Sequence, residues 1–114
     1  MDDLWHNEHR LWQEGVGAYE ELMGPGCVMA FGPLGVLARP GIIDSMCDAA
    51  RWSSVDMTDT TQTWPAGNVS IIAYRALATK PGSEPYEAVC TSTYVAVDGR
   101  WKLAQHQQSV VQRA

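Results

Sequence analysis

Glu8 lies in the run LWHNEHRLWQEG, where Leu4, Trp5, Leu11 and Trp12 recur at helical spacing. A helix there sets the Glu8 carboxylate in the middle of an apolar stripe. A carboxylate so placed must find hydrogen-bond donors or keep its proton, because desolvating its charge is costly. With a pKa raised toward neutrality, Glu8 would serve as a general acid or base. Bonded instead to Ser92, Gln105 or Gln107 on the late strands, it would anchor the helix. Glu8 is therefore the candidate catalytic residue, with these two roles open.

Other reactive side chains carry less. His6 and His9 form an i, i+3 pair, half of a metal site, but spacing supplies no third ligand, so no metal is expected. Cys90 faces inward, yet Ser92 and Gln107 do not lower a thiol pKa, which makes it a small core residue. Five Trp accompany a single Phe. Indoles can wall a cavity for a flat apolar molecule, a role that suits Trp12 and Trp52, while Trp101 is expected in the core. The chain has no phosphate-binding glycine loop, Ser-His-Asp spacing or acidic metal cluster, and no cofactor is expected.

The elements that must position these groups can be read in order. Asp2 or Asp3 caps a helix running to about Gln13, and a second short helix covers Ala18 to Met23 before Gly24-Pro25-Gly26. Cys27 to Phe31 and Gly35 to Ala38 read as short strands. Pro40 opens a third helix, Gly41 to about Ala49. Ser54 to Trp64 and Val69 to Thr79 are strands joined through Pro65-Ala66-Gly67-Asn68. In the second of them Ile72, Tyr74, Ala76 and Ala78 share one face. The final hairpin turns at Asp98-Gly99, a pair that tolerates positive φ. Pairing Val97 with Arg100 sets Tyr94 opposite Leu103, Ser92 opposite Gln105, and Cys90 opposite Gln107. These residues share one face with Trp101, apolar near the turn and polar beyond it. His106 falls on the other face in this register, and a β-bulge would flip it inward. Helices followed by a run of antiparallel strands make an α+β layout.

A chain of 114 residues suits one domain, residues 1–114. With 46% hydrophobic and 18% charged residues, it has the balance of a globular protein. No apolar run reaches the ~20 residues of a membrane helix, so no membrane partner is expected. Three widely spaced cysteines point to free thiols and a cytoplasmic location. The net charge of −5 argues against a nucleic-acid partner. Val89, Thr91, Thr93, Val95 and Val97 form a β-branched outer stripe, expected to pair two copies as a homodimer through the outer sheet face.

Taken together, LWHNEHRLWQEG, CVMAFGPLGVLARPGIIDSM and YVAVDGRWKLAQHQQS resemble the nuclear transport factor 2-like superfamily, which includes the ketosteroid isomerases and SnoaL-like cyclases. The resemblance spans essentially the whole chain and implies a curved antiparallel sheet wrapped around N-terminal helices, a cone-shaped α+β barrel with a pocket at its open end. It does not carry over the known catalytic sets. Where ketosteroid isomerases place a carboxylate base before a Pro, this chain has Ala30-Phe31-Gly32-Pro33. No Tyr-Asp pair stands for their oxyanion hole, and Gln105 and Gln107 occupy the region of the SnoaL-like Asp. The expected function is a small-molecule-binding domain for an apolar or aromatic ligand, contacted by Trp12, Met29, Trp52, Tyr74, Ser92, Tyr94, Gln105 and Gln107. The alternatives are an isomerase, cyclase or hydrolase using Glu8, and a dimerisation module without ligand.

Overall fold

Asp3 starts the first helix: its Oδ1 accepts from the backbone N–H of Trp5 at 3.0 Å and of His6 at 3.3 Å, filling donors that no helical carbonyl can reach. The computed structural model describes residues 3–47 and 49–112, so Asp2 as a cap lies outside the described residues. Helix α1 (Leu4–Gln13) buries Leu4, Asn7, Glu8, Leu11 and Trp12, the i, i+3, i+4 stripe of an amphipathic helix. There follow α2 (Val16–Leu22), β1 (Met23–Phe31), β2 (Gly35–Ala38) and α3 (Arg39–Met46). Four longer strands complete the chain: β3 (Ser54–Ala66), β4 (Val69–Thr79), β5 (Tyr86–Val97) and β6 (Arg100–Val110).

Among the described residues the strands form one six-stranded sheet in the order β2-β1-β6-β5-β4-β3. It is curved and unclosed, with β2 and β3 at its edges, so the α+β class holds but the barrel does not close. All its pairs are antiparallel except β1 with β6, which run parallel. Gly24-Pro25-Gly26 does not delay β1 as expected. Met23 already pairs with Leu103, and the register shifts between Met23 and Val28, so the glycines and proline interrupt the ladder rather than the strand. The third helix starts earlier than expected, with Pro40 in its first turn, and ends at Met46.

The core lies on one face of the sheet. Ile72, Tyr74, Ala76 and Ala78 of β4, Ala88, Cys90 and Tyr94 of β5, and Leu103 of β6 are all buried there. Asp98 (φ 52°) and Gly99 (φ 78°) close the last hairpin in the left-handed region, as their sequence requires. From that turn the pairing runs Val97–Arg100, Ala96–Trp101 and Tyr94–Leu103 as expected, then slips by one residue, and Thr93 meets Gln105. Ala104 is the extra residue of a β-bulge. Beyond it Ser92 faces His106 and Cys90 faces Gln108, which corrects the expected partners Gln105 and Gln107. Trp101 is only half-buried, whereas Leu103 is fully enclosed. Near the turn the core therefore rests on Leu103 and Tyr94 more than on the indole.

Candidate functional site

The Glu8 side chain is 1% exposed and is held by four side chains from three strands. Its Oε2 accepts from the Tyr74 hydroxyl at 2.6 Å and the Ser92 hydroxyl at 2.5 Å, and its Oε1 accepts from the Tyr94 hydroxyl at 2.6 Å. His106 Nδ1 stands 3.3 Å from Oε2. Behind Tyr74, the Trp12 indole donates to its oxygen at 2.9 Å, which leaves the tyrosine hydrogen for Glu8. Burial alone would raise the Glu8 pKa. The hydrogen bond and charge of His106, followed by the hydroxyls of Ser92 and Tyr74, outweigh it and hold the carboxyl below its ordinary value. Burial and the neighbouring carboxylate push the Tyr74 and Tyr94 hydroxyls upward, so both remain protonated donors.

With the Gln108 amide oriented as it stands, the hydrogen-bond pattern is that of a doubly protonated His106. Ser92 gives its one hydrogen to Glu8, so its contact with His106 Nδ1 at 2.6 Å needs a hydrogen from the ring. On the other side, Gln108 Nε2 donates to the Tyr86 oxygen at 2.9 Å, which turns Gln108 Oε1 toward His106 Nε2 at 2.8 Å. Both ring nitrogens then donate, and the ring is an imidazolium. Burial works against that charge, but the hydrogen bond and charge of Glu8, helped by Gln108, raise the His106 pKa above its usual value. The bulge at Ala104 makes this possible: Leu103 and His106, three residues apart on one strand, both face the core.

This pair forms part of the wall of a cavity of about 320 Å³, at the lower end of the about 300–1,000 Å³ of ligand pockets. Glu8, His106 and Gln108 lie on one part of the wall, and Trp12, Met29, Phe31 and Trp52 supply apolar surface. Tyr86 also borders it, stacked on Trp52 with ring centres 5.4 Å apart. Its oxygen accepts from Gln108, and its own hydrogen has no acceptor among the described residues. Arg51 from the segment between α3 and β3 borders the same space.

No family model matches the sequence, and no curated protein is significantly similar to it. Solved structures do match. One is an NTF2-like protein of unknown function in nutrient uptake from Rhodospirillum rubrum, with a TM-score of 0.82 and 17% identity, covering 97% of this chain and 100% of that one. The chain has the nuclear transport factor 2-like fold. A second NTF2-like protein of unknown function, from Prochlorococcus, matches with a TM-score of 0.80 and 14% identity over 100% of this chain and 97% of that one. A hexachlorocyclohexane dehydrochlorinase of the LinA type from Novosphingobium barchaimii matches with a TM-score of 0.69 and 17% identity, over 96% and 83%.

Within this NTF2-like frame the residues singled out from sequence divide into three groups. Glu8, Trp12, Met29 and Trp52 border the cavity. Tyr74, Ser92 and Tyr94 are buried behind Glu8 and spend their hydroxyls on it. Gln105 and Gln107 are corrections, because the bulge turns both away from the interior. Gln105 is half-buried and bonds Thr93 Oγ1 at 2.9 Å, and Gln107 is exposed. His6 is exposed and His9 half-buried, and no group of metal-ligating side chains occurs among the described residues. Burial pushes the Cys90 thiol up to about 12, which leaves it un-ionised. Sequence reasoning missed Arg51, Tyr86 and Gln108, and it put His106 outside unless a bulge intervened. Among the described residues no helix is long and apolar enough to cross a membrane.

Proposed function

We propose that the cavity is a proton-transfer site for a small molecule with an apolar or aromatic body, with His106 exchanging the proton. The observation that carries this reading is a cavity-lining imidazole held against a buried, ionised Glu8. In this role Glu8 is a positioning residue rather than the acid or base itself. It fixes the ring and makes neutral His106 a stronger base, because the imidazolium formed on taking a proton is stabilised at once. The resting imidazolium first gives up its Nε2 proton; the neutral ring, with Nε2 turned from Gln108 to the substrate, then removes a proton from a carbon acid and returns it at a second position or keeps it while a leaving group departs. The unused Tyr86 hydroxyl is available to donate to an oxygen on which negative charge builds. The dehydrochlorinase among the structural neighbours, by its name an elimination enzyme, supports the reaction class by analogy of fold. Ser92 cannot act as a nucleophile from its place, fully buried and donating to Glu8.

The test is deuterium exchange. Enolisable ketones and compounds with a β-leaving group, incubated with the protein in D2O, are expected to gain deuterium or eliminate faster than in buffer. His106→Gln should abolish the effect, and Glu8→Gln should weaken it. Acceleration that survives in His106→Gln would remove His106 from the chemistry.

We also propose that two copies pair through the outer sheet face. Leu77, Val89 and Val97 are exposed there, and apolar surface gathered on one sheet face favours a two-fold contact. Sedimentation at tens of micromolar, by order of magnitude, is expected to show a dimer that Thr93→Arg with Val95→Glu dissociates.

A further inference from the structure

Arg51 has more donors than the described residues use. Its Nε donates to the Glu14 carbonyl at 2.7 Å, and its Nη2 bonds the Leu11 carbonyl and, at 3.3 Å, the Tyr19 oxygen. These contacts cap the end of α1, whose last carbonyls have no helical partner. Nη1 is left over. Among the described residues its two hydrogens meet only the Met46 sulfur at 4.0 Å, a weak acceptor. Among the described residues no carboxylate lies within ion-pair distance of the guanidinium, since the Glu14 side chain is engaged by Arg10 at 3.1 Å.

The charge on the cavity wall points the same way. Of the described charged side chains bordering it, Glu8 and His106 neutralise each other, which leaves Arg51 as a net positive charge in a protein whose total is −5. We propose that Arg51 is an anion subsite of this cavity and that its ligand is a small monocarboxylate with an apolar body. The assignment rests on reading the cavity as a small-molecule site and adds the class of molecule it takes. A carboxylate fits better than a phosphate, whose further charge and oxygens would need more donors than one free nitrogen gives. The span is short. Arg51 bonds the carbonyl of Leu11, three residues after Glu8 on the same helix, a rise of about 4.5 Å along the axis. A molecule with its carboxylate on Arg51 therefore needs only a few atoms to bring a carbon next to His106.

The experiment compares phenylacetate with its uncharged isostere phenylacetamide by calorimetry and by amide shifts of the unmodified protein. Phenylacetate is expected to bind at least tenfold more tightly, with shifts confined to residues bordering the cavity. In Arg51→Gln the preference should fall to within twofold while phenylacetamide binding stays as it was. In His106→Gln the preference should persist. Should Arg51→Gln fail to fold for want of its cap on α1, the comparison in the unmodified protein still decides. Equal or tighter binding of the amide overturns the proposal, as does a carboxylate preference retained without Arg51, or binding of neither probe. The outcome is separable from that of the acid–base reading. Exchange of neutral carbon acids without any preference for acids would sink the subsite and keep the chemistry. An Arg51-dependent preference with no exchange would do the reverse.

Discussion

Helix α1 carries two charge clusters two residues apart in sequence, and they differ in almost every physical respect. Arg10 reaches Glu14 at 3.1 Å and Glu21 at 2.8 Å, with side-chain exposures of 22%, 51% and 59%. Water and salt reach all three groups, so the pairs stitch α1 to α2 at little energetic consequence. Glu8 and His106 are almost wholly enclosed. Their charges have lost their water and depend on each other and on the hydroxyls of Tyr74, Ser92 and Tyr94. Sequence distance says nothing of this contrast. Which side of the helix meets the sheet decides it, and a charge retained on that side marks where function is to be sought.

The largest expected effect follows from that dependence. Glu8→Ala leaves a buried imidazolium and three hydroxyls without their acceptor. It should cost about 3–5 kcal/mol of unfolding free energy, the range for removing one partner of a buried pair. Urea titration checks this through the midpoint. A loss under about 1 kcal/mol, the scale of an exposed pair, would erase the difference between the two clusters.

What could be read from the sequence followed the same divide. The stripe on α1, the Asp98-Gly99 turn and the inward row Cys90, Ser92 and Tyr94 rest on periodicity and turn chemistry, which are local. The bulge at Ala104 is not local. It arises where β6 must pair with β5 on one side and run parallel to β1 on the other, and no residue type announces it. The single slip exchanged His106 for Gln105 and Gln107 at the site. Arg51 was illegible for a related reason. Its role depends on α3 and β3 bringing it to the end of α1, a contact 40 residues apart in the chain.

The pH dependence of stability should sharpen the contrast next. Glu8 has a folded pKa below its ordinary value of 4.5, so its contribution is present above that value and is lost as pH falls through the folded pKa. His106 has a folded pKa above its ordinary value of 6.5. Its contribution is full below 6.5 and is lost as pH rises through the folded pKa. The pair should therefore stabilise most between these two ordinary values, with an acid and an alkaline decline. His106→Gln should remove the alkaline decline near neutrality. A decline of the same size in that variant would mean that His106 is not the group losing its proton.

The smallest effect belongs to the exposed cluster. Arg10 pairs with Glu14 and Glu21 through well-formed bonds, and both acids raise its pKa through those hydrogen bonds. With both acids more than half exposed, that shift reports attraction, not stability, because the same charges are well solvated when apart. Arg10→Ala should leave the melting temperature close to that of the parent. The small remaining difference should vanish in about 1 M salt, where the screening length falls to about 3 Å, comparable to the pair distances themselves. The deficit of Glu8→Ala, shielded from ions by burial, should persist in the same buffer. Melting both variants at low and high salt sets the two clusters side by side. A large, salt-insensitive loss in Arg10→Ala would show that contact between α1 and α2, rather than solvated charge, is what Arg10 provides.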